Sequence, residues 1–157
     1  QDGAEFGPRA LGNRSILAKP FPSKMRDHIN KNVKFREYFR PFAPAVLSEY
    51  LEEYFDIDQE SPHMLIACQA KESVKNKIPA VIHIDNSCRV QSVTKKTNLK
   101  FWKLLSEFNK LTNIPVLLNT SFNIKGQPIV NTADDALKCF KKYKIDYLVI
   151  NDYLIKK

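Results

Sequence analysis

Residues 115–123 read Pro-Val-Leu-Leu-Asn-Thr-Ser-Phe-Asn. The apolar run after the proline predicts a buried strand. The strand ends in amide and hydroxyl groups, and Lys125 and Gly126 follow them. Because open α/β sheets bind ligands at the carboxyl ends of their strands, these groups are suited to hold an anion. The segment alone favours a simpler interpretation, a polar turn that caps a core strand.

A basic segment near the amino terminus supplies cationic partners for that strand end. Residues 1–40 hold nine Lys or Arg and four acidic residues, which gives +5 of the chain's net charge of +8. Residues 49–60 hold six acidic residues and no basic one. A charge distribution this polarised indicates an anionic ligand, either phosphate groups or nucleic acid.

The composition is that of one globular domain over residues 1–157, with 43% hydrophobic and 27% charged residues. No apolar run approaches the length of a membrane span, so we expect no membrane association. The cysteines, Cys68, Cys88 and Cys139, share no metal-ligand spacing, and the three histidines are scattered. We therefore expect free thiols, no metal site and a cytoplasmic location. Because no Met opens the chain, we expect a fragment of a longer protein.

Hydrophobic periodicity and turn signals predict both helices and strands. The predicted helices are 24–30 with Ser23 as its cap, 49–55, one from 98 with a core stripe of Phe101, Leu104, Leu105, Phe108 and Leu111, and one from 132 to about 143 with a capping box. The predicted strands are 45–47, 64–68, 81–85, 88–93, 115–118, 147–150 and 153–155, with a hairpin-like turn at 86–87. This mixture predicts an α/β domain of the mixed α+β type with a mixed sheet.

Residues 5–17 read Glu-Phe-Gly-Pro-Arg-Ala-Leu-Gly-Asn-Arg-Ser-Ile-Leu. The glycines allow a ligand to approach the backbone closely. The planar guanidinium groups of Arg9 and Arg14 match phosphate or carboxylate oxygens. The alternative is a structural pair of arginines tied to Glu5 and Asp27.

Residues 34–44 read Lys-Phe-Arg-Glu-Tyr-Phe-Arg-Pro-Phe-Ala-Pro, so three cations alternate with aromatic residues. Lys34 and Arg36 share a face of an extended chain, whereas Arg36 and Arg40 share a face of a helix. The aromatic residues are suited to stack on RNA bases or on an adenine, although such residues more often belong to a core.

A looser group follows at His83, Asp85 and Arg89. His83 and Asp85 would share a strand face, which is a weak general-base signal, since a lone histidine is more often satisfied within the fold. Arg89 is the better candidate for binding an anion.

Segments 5–17, 34–46, 78–93 and 115–130 together resemble the carboxyl-terminal domain of the O-carbamoyltransferases of nodulation factors and antibiotics. The motifs are Gly-Pro-Arg-Ala-Leu-Gly-Asn-Arg-Ser at 7–15 and Leu-Asn-Thr-Ser-Phe-Asn at 118–123, and the resemblance covers nearly the whole chain in order. It implies a YrdC-like fold, an open twisted mixed β-sheet with flanking helices.

The resemblance also implies a reaction. This domain would convert carbamoyl phosphate and ATP, with Mg²⁺, into carbamoyl-adenylate, pyrophosphate and phosphate. An actin-like domain on the amino-terminal side, absent from this chain, would hold a further metal and pass the carbamoyl group to a hydroxyl acceptor. The physical needs of such a site agree, because fixed cations and amide donors can stabilise phosphoryl charge without a nucleophile.

Motif positions imply the residues that would contact the substrates. Lys34, Arg40 and Arg9 would act in catalysis, and the substrate-binding residues would be Arg89, Asn119 and Ser121, with Arg14, Arg36 and Asn123 as second choices. In the wider group a Lys-x-Arg pair and a Ser-x-Asn pair line an anion pocket, and residues 34–36 and 121–123 match these pairs. Lys125 matches no ligand, so we expect it on the surface.

One loop departs from the family pattern, and two other functions stay open. Members usually carry Asp-Gly-Thr-Ala-Arg where residues 85–89 read Asp-Asn-Ser-Cys-Arg, although Asn86 tolerates left-handed backbone geometry. One alternative function is a basic RNA-binding module, which the pI of about 9.4 and residues 34–42 would support, although we do not expect nucleic acid as the partner. The other is a non-catalytic anion-binding domain.

Overall fold

The computed structural model of the chain describes residues 1–157 and contains eight strands and four α-helices. The strands are β1 (Ser15–Ala18), β2 (Ala43–Leu47), β3 (Ala67–Gln69), β4 (Ser87–Arg89), β5 (Gln91–Val93), β6 (Val116–Ser121), β7 (Tyr147–Ile150) and β8 (Tyr153–Lys156). The helices are α1 (Lys24–Ile29), α2 (Leu51–Tyr54), α3 (Leu99–Thr112) and α4 (Ala133–Lys142). The predicted α+β class is confirmed.

The main sheet is mixed and has the strand order β1-β6-β2-β5. Strand β6 pairs antiparallel with β1 and β2, and β2 pairs parallel with β5. Asn119 of β6 lies between Leu17 of β1 and Ala43 of β2, so it occupies the middle of the sheet. Strands β3 and β4 form one antiparallel pair, and β7 and β8 form another.

Hydrophobic cores cover both faces of the main sheet. Val116 and Leu118 of β6 join the larger core of 26 residues, while Leu117 joins a smaller core of six residues beneath α3. This division follows from the alternation of side chains along a strand. Every residue of the central strand β2 is buried, which explains its uninterrupted apolar sequence.

The end of α1 continues directly into a π-helical turn at Asn30–Lys34, which the sequence analysis did not predict. Phe35 then adopts a left-handed conformation with φ of 49° and ends the turn. The wider turn buries Val33 and Lys34 on the inner side of the helix. A charged residue is thereby placed at 4% exposure, next to the end of β6.

Several predicted elements are confirmed. The predicted helices 24–30 and 49–55, the one from 98 and the one from 132 to about 143 correspond to α1, to a 3₁₀ turn followed by α2, to α3 and to α4. The capping box of Thr132 and Asp135 is present, and the strand pair β7 and β8 occurs at its predicted position.

Other predictions are wrong. Residues 81–85 form no strand, because Asn86 N–H donates to the carbonyl of His83 and closes a tight turn; β4 pairs instead with β3. Only residues 67–68 of the predicted strand 64–68 are extended in a sheet, since Met64 has a positive φ of 56°. Ser23 makes no side-chain cap bond. The predicted core stripe of α3 is buried only at Phe101 and Leu105.

The α3 stripe is only partly buried because the helix covers a small core. Leu104 and Leu111 are 48% and 84% exposed, and Phe108 is half-buried. Strand β1 was not predicted, and β6 runs to Ser121 rather than ending at Leu118, so its polar groups lie within the strand. None of the four α-helices is long and apolar enough to cross a bilayer.

Candidate functional site

A cavity of about 700 Å³ opens where β6, the π-helical turn and the loop before β1 meet. A volume of roughly 300–1,000 Å³ is typical of small-molecule sites. Its lining includes six cationic residues, Arg9, Lys34, Arg36, Arg40, Arg89 and Lys125. Asp85 is the one carboxylate among the lining residues, so we name this site the cationic cavity.

The structure brings eight of the nine predicted site residues into this cavity. They are Arg9, Lys34, Arg36, Arg40, Arg89, Asn119, Ser121 and Asn123. They come from four separated parts of the chain, the loop before β1, the segment between α1 and β2, strand β4 and the end of β6.

Lys34 holds the end of β6 in place through hydrogen bonds. Its Nζ donates to the backbone carbonyls of Ser121 and Asn123, both at 2.8 Å, and to Asn123 Oδ1 at 2.7 Å. Ser121 Oγ lies 3.3 Å from the same nitrogen and donates to Asn123 Oδ1 at 2.7 Å. Burial, and then the charge of Arg36, lowers the pKa of Lys34 from 10.5 to about 7.

These contacts define what Lys34 can do for a ligand. An ammonium group has three N–H donors, and acceptors of the protein already surround the one of Lys34. Lys34 therefore orients Ser121 and Asn123 and has no free N–H group to donate to a ligand. Its charge still reaches the cavity, because a charge in a desolvated position is weakly screened.

Asn119 is held rigidly at the back of the cavity. Its Nδ2 donates to the Gln91 Oε1 at 2.8 Å and to the Ala10 carbonyl at 3.1 Å, and Gln91 Nε2 donates to the Leu11 carbonyl at 2.8 Å. This chain of bonds determines which side-chain atom of Asn119 is the oxygen. That oxygen, Oδ1, is buried and has no hydrogen-bond partner. A buried acceptor without a donor is costly, which makes it a candidate contact for a ligand N–H.

Arg9 and Arg89 are the free cations of the cavity. Neither guanidinium group donates a hydrogen bond to the protein or lies within 4.0 Å of a carboxylate. Burial, and then the charge of Arg9, lowers the pKa of Arg89. The two side chains are thus placed near each other without a compensating anion, an arrangement that a bound polyanion would stabilise.

Arg36 is supported from the protein side. Its Nε donates to Asn30 Oδ1 at 2.7 Å, its Nη2 donates to the Pro41 carbonyl at 3.2 Å, and its guanidinium group lies 4.5 Å from the centre of the Phe42 ring. Burial, and then the charge of Arg40, lowers the pKa of Arg36 to about 10. These contacts hold the Arg36 charge at a fixed place within the cavity.

Arg40 and Lys125 lie at the exposed side of the cavity and share one acidic partner. Arg40 Nη1 is 3.7 Å from Glu37 Oε2, and Lys125 Nζ is 3.3 Å from Glu37 Oε1. Lys125 has an exposed side chain, as expected. It also lines the cavity, although it matches no ligand in the family pattern.

The tight turn at 83–87 contributes the acid and the imidazole of the cavity. Asp85 Oδ1 accepts from Ser87 Oγ at 2.6 Å and from Ser87 N–H at 2.9 Å, and it lies 3.0 Å from His83 Nδ1. These hydrogen bonds, that of Ser87 Oγ first, hold the pKa of Asp85 well below its usual range. Asn86 adopts the left-handed conformation that the loop requires, with φ of 66°.

Arg14 does not line the cationic cavity, so its role in substrate binding stays a prediction that this cavity does not support. Its guanidinium group donates to four backbone carbonyls, those of Gln1, Asp2, Asn13 and Asn131. The alternative, a pair of arginines tied to Glu5 and Asp27, is wrong in its partners, because no arginine side chain pairs with Glu5 and Asp27 pairs with Arg26. Glu5 Oε1 accepts instead from the backbone N–H groups of residues 11, 13 and 14 and so shapes the loop that carries Arg9.

Gln91 is a positioning residue that the sequence analysis missed. It is 3% exposed and connects Asn119 to the loop that carries Arg9. Gln91 and Ser92 are polar residues in the predicted strand 88–93, and this was the signal that could have identified Gln91.

The family described as "Carbamoyltransferase C-terminus" matches residues 1–157. Similar relatives include the nodulation protein NolNO of Sinorhizobium fredii, 47% identical, and the nodulation protein NolO of Bradyrhizobium diazoefficiens, 43% identical, each over 100% of this chain. Nodulation protein U of Rhizobium tropici is 42% identical over 98% of this chain.

The alignments cover 24%, 29% and 26% of those three relatives, so the chain spans about a quarter of the length of the curated relatives it matches. The predicted resemblance is confirmed. Together with the full-length family match, these identities show that the chain belongs to the carbamoyltransferase C-terminus family.

Proposed function

We propose that the cationic cavity binds carbamoyl phosphate and ATP and joins them to form carbamoyl-adenylate, with release of pyrophosphate and phosphate. The observation that carries the proposal is the pair of unpartnered guanidinium groups, Arg9 and Arg89, in a cavity with six cationic residues and one carboxylate. Two phosphate-bearing substrates would supply the missing negative charge. Family membership supports carbamoyl transfer as the overall chemistry.

One feature favours a carbamoyl group over phosphate alone. The buried Asn119 Oδ1 needs a donor, and the NH₂ of a carbamoyl group is one, whereas an ionised phosphate oxygen can only accept. Ser121 Oγ is oriented by Lys34 and Asn123 beside it. We expect Asn119 to contact the carbamoyl end and the arginines to contact the phosphate ends.

Catalysis in this proposal rests on positioning and charge stabilisation. Arg9, Arg40 and Lys34 would act on charge that builds up on the transferring groups, and Arg36 and Arg89 would bind phosphate oxygens. Mg²⁺ would enter with ATP, with nucleotide phosphate oxygens as its main ligands, because the cavity lining has one carboxylate only. Bound Mg²⁺ would neutralise part of the triphosphate charge.

The remaining parts of the proposal concern the whole protein. Carbamoyl transfer to a hydroxyl acceptor would need a second, actin-like domain. The three buried free thiols, Cys68, Cys88 and Cys139, are compatible with a reducing cytoplasm, which is where we expect the protein to act.

Isotope exchange tests the adenylation step. Labelled pyrophosphate should enter ATP when carbamoyl phosphate is present and not when it is omitted. Arg89→Ala should slow this exchange by about 100-fold or more, on the scale of a lost transition-state donor. Arg26→Ala is the matched control, because Arg26 pairs only with the exposed Asp27 at 3.5 Å.

Two results would contradict the proposal in different ways. Binding of both substrates without exchange or AMP formation would favour the non-catalytic anion-binding domain. No binding of either substrate, combined with salt-sensitive RNA binding that Lys34→Ala weakens, would favour the RNA-binding module.

A further inference from the structure

The reaction proposed above requires a water molecule, and this follows from its oxygen count. Carbamoyl phosphate has five oxygens, whereas the phosphate and the carbamoyl-oxygen unit formed from it have four and two, so one oxygen must come from water. The pyrophosphate oxygens all come from ATP. Activating a water at neutral pH needs a proton acceptor. In the catalytic set only Lys34 has a pKa near 7, and its nitrogen is already engaged by acceptors of Ser121 and Asn123.

The cationic cavity does contain one group of the right type. His83 is its only imidazole, and His83 Nδ1 lies 3.0 Å from Asp85 Oδ1. Since the Asp85 carboxylate is ionised, it accepts from Nδ1–H. The neutral ring then carries its lone pair on Nε2, which makes no hydrogen bond within the chain.

The turn holds this imidazole in a fixed orientation. His83 N–H donates to the Ser87 carbonyl at 3.0 Å, and Asn86 N–H donates to the His83 carbonyl at 2.9 Å. Ser87 Oγ and N–H fix the same Asp85 oxygen that His83 contacts. An acid that orients an imidazole through Nδ1 and leaves Nε2 free is a general-base arrangement.

We propose that His83 is the general base that activates the water consumed in carbamoyl-adenylate formation, with Asp85 as its positioning residue. This inference rests on the proposed function and adds a catalytic residue to it. The water proton moves to His83 Nε2 as the water oxygen bonds to the carbonyl carbon. The bond from that carbon to the bridging oxygen breaks, and phosphate leaves with its electron pair and takes the proton from His83.

The second half of the reaction then balances. The carbamic acid formed loses its remaining acidic proton to solvent, and a carbamate oxygen attacks the α-phosphorus of ATP. The bond from the α-phosphorus to the bridging oxygen breaks, and pyrophosphate leaves. His83 therefore acts only before adenylation, and ATP binding does not depend on it.

The test compares His83→Gln, Asp85→Asn and the control His63→Gln, because His63 is exposed and lies outside the cavity. We expect His83→Gln to lower kcat for AMP and phosphate formation by about 100-fold or more, with the KM for ATP unchanged. Asp85→Asn should lower kcat by a smaller factor. In a further variant, His83→Ala, added imidazole should partly restore kcat, whereas it should not restore the kcat of Asp85→Asn. Calorimetric binding of carbamoyl phosphate checks that each variant is folded.

Labelled water tests the bond that breaks. In ¹⁸O-water the released phosphate should carry no label, because attack occurs at carbon; phosphate with one ¹⁸O would overturn this step. His83→Gln with the kcat of the wild type would overturn the role of His83 and leave the proposed function intact. Substrate binding without phosphate release by the wild-type chain, or no substrate binding at all, overturns both the inference and the proposed function.

Discussion

Lys34 Nζ donates to Asn123 Oδ1 at 2.7 Å, although 89 residues separate the two in the chain. This bond joins the π-helical turn after α1 to the end of β6. Because Ser121 Oγ donates to the same Asn123 oxygen, one lysine orders both polar residues at the strand end. The cationic cavity is therefore assembled by a buried ammonium group as well as lined by cations.

Replacing that ammonium should weaken both the fold and the site. Lys34→Met removes a donor from the partly buried carbonyls of Ser121 and Asn123 and from Asn123 Oδ1, so we expect a loss of about 1–3 kcal/mol in the free energy of unfolding. Urea unfolding measures it, and carbamoyl phosphate affinity should fall as well. Lys31→Met, on the exposed side of the same turn, should change stability by less than about 0.5 kcal/mol. Equal stability and affinity in Lys34→Met and the wild type would contradict the role of this residue.

Stability should depend on pH through Lys34. Its folded-state pKa is about 7, below its ordinary value of 10.5. Below pH 7 the group is protonated in both states, and the cost of burying the charge is fully present. Between about 7 and 10.5 the unfolded chain binds a proton that the folded chain does not, so stability rises with pH. The unfolding free energy of the wild type minus that of Lys34→Met should therefore increase across this window. A difference that is flat or falls would argue against a charge buried at low pH.

Gly12 should tolerate no side chain. It has φ of +128°, and an added Cβ would lie 2.7 Å from Phe101 Cδ1 and 3.0 Å from Asn98 Nδ2. We expect Gly12→Ala to destabilise the chain by about 1–3 kcal/mol, because both backbone strain and the clash oppose it. Gly3→Ala is the matched control, since nothing lies within 4 Å of its added Cβ. Thermal unfolding compares them, and equal melting temperatures would show that the loop relaxes freely.

Arg14 should matter for stability and not for substrate binding. Its guanidinium group donates to backbone carbonyls at 2.7–3.2 Å, and a lysine cannot reproduce that fork. We expect Arg14→Lys to lower the unfolding free energy by about 1–2 kcal/mol while carbamoyl phosphate affinity is unchanged. If Arg14→Lys kept full stability but bound carbamoyl phosphate more weakly, Arg14 would be a substrate-binding residue and this prediction would be wrong.

Most residues of the cavity could be predicted from the sequence, because a site for phosphate groups needs cationic side chains and hydrogen-bond donors. Arg9 and Arg89 and the polar end of β6 could be selected as anion ligands from sequence, and the family resemblance joined them. Their partners within the fold were not predictable. Glu5 could pair with an arginine or with backbone N–H groups, and only the folded loop shows that it binds N–H groups.

The errors in the fold have local physical causes. The Asn86-Ser87 pair was interpreted as a hairpin turn, but the turn closes on His83 and lets β4 pair with β3, which is distant in sequence. The π-helical turn has no sequence signature, so the burial of Lys34 was not predictable. Strand β1 has four residues and becomes a strand only by pairing with β6, a contact that local propensity does not encode.

Calorimetric titration of carbamoyl phosphate into this chain tests the central claim most directly. The account predicts binding at one site for the wild type and for Arg26→Ala. It predicts affinity at least about 100-fold weaker in the Arg9→Ala/Arg89→Ala double variant, because two charge-assisted contacts are lost. No binding by the wild type, or equal affinity in all three proteins, would contradict the assignment of the cationic cavity as the substrate site.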